Sequence, residues 1–124
     1  MYDVQPHPLL LSQDLNSEVL PPSLVEDFLE LYKADLERNP YPGSSRIRKH
    51  YLANPPLQGY YAVDITWQEE WEGERFRLEY RIVYWIDDVN RKVVVISFDR
   101  HDVAYDKAKQ RTRGGRLYRQ QNRN

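Results

Sequence analysis

A small group of residues in the second half of this 124-residue chain has the types needed to handle a phosphodiester. Asp64, Arg77, Glu79 and Arg81 alternate with apolar neighbours, and Asp99-Arg100-His101-Asp102 follows a run of Val and Ile, with Tyr105 four residues beyond His101. Cleavage of RNA without metal needs a base for the 2′-hydroxyl proton and an acid for the leaving 5′-oxygen. It also needs a cation for the charge that builds on phosphorus. Arg suits the cation role because its planar fork binds phosphate oxygens in pairs. Histidine is the side chain whose ordinary titration falls near neutrality, and Tyr105 has a ring to stack on a base and a hydroxyl to orient one. The same residues also fit a purely architectural reading, with Arg77, Glu79 and Arg81 in cross-strand ion pairs, His101 capping a strand end and Tyr105 in the core. Composition alone favours the architectural reading.

The elements that must position these residues lie between Gly59 and Tyr105. Three runs rich in Tyr, Val, Ile, Trp and Phe are separated by short polar segments, the pattern of three antiparallel strands in a meander. In the first, Tyr61, Val63, Ile65 and Trp67 share one face, and Tyr60, Ala62, Asp64 and Thr66 the other. The second, Arg75 to Ile86, sets Phe76, Leu78, Tyr80, Ile82, Tyr84 and Ile86 against a helix and turns Arg75, Arg77, Glu79 and Arg81 away from it. The third, Lys92 to Phe98, is apolar on both sides, as a central strand is. Gln68–Glu74 reads as a solvated acidic hairpin tip. It has no His or Asp at metal-ligand spacing, so neither a metal nor another cofactor is expected.

Upstream, Ser23 and Glu26 have capping-box spacing. Val25, Phe28, Leu29, Tyr32 and Leu36 then form one helical stripe, ending near Arg38 before Pro40. Residues 1–22 are poorly defined. Tyr2–Val4 reads as a short edge strand, Ser12 as the cap of a helix over Gln13–Leu20, and His7, between two prolines, as an exposed loop residue. Arg46–Leu52, with four potentially basic residues, fits either a phosphate-contacting edge or a solvated connector, as a helical turn or a short strand.

Length and composition point to one soluble domain over residues 1–124, with no membrane span and no secretory leader. The absence of cysteine is compatible with a cytoplasmic location. Residues 106–124 hold seven Lys/Arg and one Asp, a net +6, and the chain's −1 leaves about −7 to residues 1–105. Such a basic tail is either a solvated terminus or a contact for an anionic partner. The fold class is therefore α+β: N-terminal helices on one face of an antiparallel sheet that ends in the meander.

The order of helix, linker and meander, with YRIVYWID at Tyr80–Asp87 and SFDRHDVAY at Ser97–Tyr105, resembles the RelE/ParE toxin superfamily over roughly Ser23 to Arg111. The resemblance implies a toxin of a toxin–antitoxin pair, with a cognate antitoxin as partner. It also implies a metal-independent, ribosome-dependent mRNA endonuclease in the RelE branch, or a gyrase inhibitor in the ParE branch. Arg81 matches the family's phosphate-stabilising arginine. Arg100 and His101 fall on its paired basic positions in reverse order, and Tyr105 on its base-orienting tyrosine. On this reading Arg81, Arg100, His101 and Tyr105 are catalytic, and Asp64, Arg77 and Glu79 contact substrate, Asp64 or Glu79 as partner base. Ala62 and Asp64 stand where the RelE branch carries two lysines, and Asp99 replaces a glycine. Those departures, with the acidic body, support the rival, a non-enzymatic binding protein or a module that has lost activity.

Overall fold

The computed structural model describes residues 1–43 and 46–112. Five strands, β1 (Asp3–Pro6), β2 (Arg48–Tyr51), β3 (Tyr61–Trp71), β4 (Glu74–Asp87) and β5 (Lys92–Arg100), form one sheet in the order β1-β5-β4-β3-β2. All neighbours are antiparallel except β1, which runs parallel to β5 with Val4 opposite Val93. The expected α+β architecture is thus present as a mixed sheet. Its last three strands are the meander, and the described part of the chain contains no helix long and apolar enough to cross a membrane.

One face carries the larger core. Val63, Ile65, Ile82, Tyr84, Val93, Val95 and Phe98 pack under a helical rod contributing Leu24, Phe28 and Leu36. Phe28 and Phe98 have ring centroids 5.8 Å apart, within the range where aromatic pairs add attraction beyond their burial. The rod is α1 (Pro22–Asp27), a wider π-helical turn (Phe28–Tyr32) and α2 (Lys33–Arg38), with right-handed helical backbone across both junctions. Its start differs from the capping-box expectation: Pro21 is the N-cap, no side chain caps the end, and Pro22 takes the first helical position. Proline is at home there because its φ is preset and its missing N–H would go unpaired in any case. The rod ends as expected, with Asn39 extended before Pro40. Buried Lys49 on β2 ties that end to the sheet through Asp35 (2.6 Å) and the Asn39 carbonyl (2.7 Å).

The opposite face, expected to be an open charged surface, is largely roofed by α3 (His101–Thr112). Ala104 and Ala108 sit over Val83, Val94 and Ile96. A bulge makes this possible. Val83 pairs with Ser97 and Tyr84 with Val95, so Ile96 is the extra residue and the alternation of β5 shifts by one. Ile96 and Ser97 then both serve the α3 side, the Ser97 hydroxyl donating to the Ala104 carbonyl at 2.8 Å.

Three further expectations are corrected. The short helix over Gln13–Leu20 is instead a single π turn at Leu10–Asp14. Asp14, fully buried, accepts the Phe98 N–H (2.9 Å) and pairs with Arg111 (2.7 Å) and Lys107 (3.0 Å). Those two cations belong to the segment read as a basic tail, so residues 106–112 are a docked helix end. The rest of that tail, 113–124, lies outside the described residues. His7, expected to be exposed, is buried, its Nδ1 accepting the Leu9 N–H at 3.1 Å.

The hairpin joining β3 and β4 also differs. The ladder continues to Trp71 opposite Glu74, leaving a two-residue turn in place of an acidic loop. Both turn residues, Glu72 (φ 51°) and Gly73 (φ 81°), have the left-handed backbone such hairpin turns require.

Candidate active site

Strand register assembles the site. Arg48 on β2 faces Asp64 on β3, Asp64 faces Arg81 on β4, and Arg81 faces Asp99 on β5, so four charges of alternating sign form a row across the sheet. Directly opposed residues of antiparallel strands share a face, and this is the face that α3 partly covers.

Arg81 is the centre of the row. Its side chain is only 14% exposed, with Nε 3.0 Å from Asp64 Oδ1 and Nη1 3.6 Å from Glu79 Oε2. Nη1 also donates to the Tyr80 carbonyl at 2.8 Å. Nε is buried and, among the described residues, makes no aligned hydrogen bond, so its contact with Asp64 is ionic. The guanidinium is therefore held in place with hydrogen-bonding capacity left over.

Asp64 is shared. The oxygen that faces Arg81 also lies 2.8 Å from His50 Nε2, at the neighbouring position of the edge strand. In the sequence His50 stands out only as one of four potentially basic residues in Arg46–Leu52. The available signal was alternation: with β2 as a strand, Arg48, His50 and Leu52 point away from Ile47, Lys49 and Tyr51.

Tyr105, on α3, stands over the same groups. Burial is the main reason its phenol pKa is raised. The Arg81 guanidinium beside it opposes that rise, and the Asp64 carboxylate adds to it. The hydroxyl is therefore protonated at neutral pH and able to donate.

His101 opens α3. Exposed, it places Nδ1 2.6 Å from Asp102 Oδ1 and sets its ring edge-on to Tyr105, with centroids 5.0 Å apart.

A cleft of about 720 Å³ opens beside this cluster. His50, Asn54 and Leu57 form one wall, and Tyr105, Asp106 and Lys109 of α3 the other.

The structure thus brings together Asp64, Glu79, Arg81, Tyr105 and, one helical turn away, His101. Arg100 is not among them. It faces Tyr80 across β4 and β5, and Tyr80 belongs to the core under the helical rod, so Arg100 is on the other side of the sheet from Arg81. Its sequence neighbour Asp99 occupies the Arg81 face, where Lys107 binds it at 2.6 Å. Arg77 shares the face but sits out on the exposed hairpin, 3.4 Å from Glu79.

No protein-family model matches the chain, and no curated protein matches it. Among solved structures, the RelBE2 toxin–antitoxin complex from Mycobacterium tuberculosis contains a chain to which this one is similar, at 23% identity and a TM-score of 0.49. The match covers 81% of this chain and 98% of that one.

Proposed function

We propose that this chain is a RelE-like toxin of a toxin–antitoxin pair: an mRNA endonuclease that needs no metal, acts on the ribosome in the cytoplasm, and is held silent by a cognate antitoxin. The observation that carries the reading is Arg81 standing between Asp64 and the Tyr105 hydroxyl beside the cleft, with His101 against the Tyr105 ring. The sequence resemblance through YRIVY and HDVAY supports it independently.

In this mechanism Arg81 stabilises the charge that accumulates on the non-bridging oxygens as phosphorus becomes five-coordinate. A group already fixed by Asp64 and the Tyr80 carbonyl needs little reorganisation to do so. Tyr105 orients the nucleotide by its ring and its protonated hydroxyl. His101, exposed at the helix start, exchanges protons with the reacting oxygens as general acid or base. Arg100 is left out on geometry.

A second reading is a non-enzymatic binder on the same scaffold, either a gyrase-type inhibitor or a module without activity. It is favoured by the two carboxylates, Asp64 and Glu79, that already neutralise Arg81. Inducing the chain in a bacterial host separates the two. The nuclease reading expects growth arrest with broken mRNA. Arrest with intact mRNA and altered DNA supercoiling selects the gyrase-type reading, and unaffected growth with intact mRNA ends the nuclease reading.

A further inference from the structure

We infer that His50 is the general base of this site and that Asp64 positions it, an assignment that rests on the nuclease reading above. His50 Nε2 is 2.8 Å from Asp64 Oδ1. An ionised carboxylate has no proton to give, so Nε2 carries the hydrogen and donates it, and in the neutral ring Nδ1 keeps its lone pair. Among the described residues no hydrogen bond engages that nitrogen, and the ring lines the cleft opposite Tyr105 with its side chain 43% exposed. A base oriented from behind by a carboxylate and open in front is the arrangement that activates hydroxyl nucleophiles.

The step balances within the substrate and two side chains. The 2′-hydroxyl proton passes to His50 Nδ1 as the 2′-oxygen attacks phosphorus, forming the O2′–P bond. The P–O5′ bond breaks, and the departing 5′-oxygen takes a proton from His101, acting as the acid. The products are a 2′,3′-cyclic phosphate and a 5′-hydroxyl. Protonated His50 then draws more strongly on Asp64 Oδ1, the oxygen Arg81 Nε shares at 3.0 Å, so the guanidinium is freed toward the phosphate as charge develops there. His101 is the poorer candidate for base because, unlike His50, it is not part of the cleft wall.

The test uses the full chain, a defined mRNA on translating bacterial ribosomes, and the same RNA free in solution, with cleavage rates followed from about pH 5.5 to 8.5. The charged and titratable groups facing His50 are Asp64 and Arg81 from the sheet and Tyr105, Asp102, Asp106 and Lys109 from α3. His50→Gln is expected to slow cleavage about 10²- to 10³-fold and to abolish the acid-side fall in rate, because no base remains to be protonated. Binding of the same RNA with a 2′-deoxy nucleotide at the cut is expected to stay within about threefold of wild type. Asp64→Asn, a positioning change, is expected to cost about 10- to 100-fold, with partial recovery in Asp64→Glu.

Cleavage by His50→Gln within about threefold of wild type, or with an unchanged pH profile, overturns the assignment while leaving the nuclease reading intact. A wild-type chain that cleaves neither RNA overturns the nuclease reading and this assignment together. If His50→Gln has lost its thermal transition, His50→Ala supplied with imidazole replaces it. Recovery of cleavage supports the base, and no recovery in a folded His50→Ala chain overturns it.

Discussion

Two charged clusters contact α3, one around Asp14 and one around Asp64, and they differ in how fully their groups are paired. Around Asp14 the carboxylate is wholly buried and all its capacity is used, by Arg111 on both oxygens, by Lys107 and by the Phe98 N–H. Arg111 spends a further hydrogen bond on the Ile96 carbonyl, at the bulge. Around Asp64 the carboxylate is partly open to solvent, one oxygen serves both Arg81 and His50, and the Arg81 Nε–H has no aligned acceptor. A saturated, dry ion cluster holds parts of a fold together. An incompletely paired one next to a cleft is not explained by architecture alone, and charge alone does not tell the two apart.

Breaking the first network gives the largest stability effect. Arg111→Ala leaves buried Asp14 with only Lys107 and the Phe98 N–H, and removing one partner of a buried charge costs about 3 kcal/mol, the low end for a charge that keeps another partner. Thermal or denaturant unfolding is expected to show that loss, with α3 the first element to lose amide protection in hydrogen exchange. Arg81→Gln sharpens the contrast by inverting it. Stability is expected to change by only about 1 kcal/mol for a partly exposed pair. RNA cleavage is expected to fall about 10²- to 10³-fold, the loss typical of removing a transition-state donor.

A pH effect comes next. Burial is the main cause holding the His7 pKa below its ordinary 6.5, the nearby Arg111 charge adds to it, and Asp14 opposes it. Folding therefore favours neutral His7, and its contribution is fully present above pH 6.5 and lost as the pH falls below that value. His7→Gln is expected to flatten the acid-side decline in stability in that window, measured as Tm against pH. The smallest effect is expected at the rim: Glu79→Gln removes a 3.6 Å ion pair to Arg81, worth about 0.5 kcal/mol in an exposed setting. A stability loss as large as that of Arg111→Ala would erase the distinction between the networks.

The sequence made the meander legible because Tyr61–Trp67 and Phe76–Ile86 alternate cleanly and turn residues bound them. It made the meeting of Arg81 and Tyr105 on one face legible, because the alternation of the strand and the order of the motifs agree. Other features left no such trace. The roofing role of α3 rests on Ala104 and Ala108, too small a pair to mark a buried stripe among the charges of residues 101–112. Asp14 and Arg111 are 97 residues apart, so nothing local announces their pairing. The bulge at Ile96 hides in a run of Val and Ile that reads as buried on both faces in any register, and it decides that Asp99, rather than Arg100, shares a face with Arg81. His50 was obscured because Arg46–Leu52 fits a helical turn as well as a strand, and the alternation that places His50 applies only once the four-residue β2 is known to be a strand.

The most direct test of the central claim maps RNA 5′ ends across the transcriptome of a bacterial host after induction of the wild-type chain and of Arg81→Gln. New 5′-hydroxyl ends are expected inside translated reading frames for the wild type, and nearly none for Arg81→Gln. Intact mRNA in the wild-type culture, or equal cutting by a folded Arg81→Gln chain, would contradict that claim.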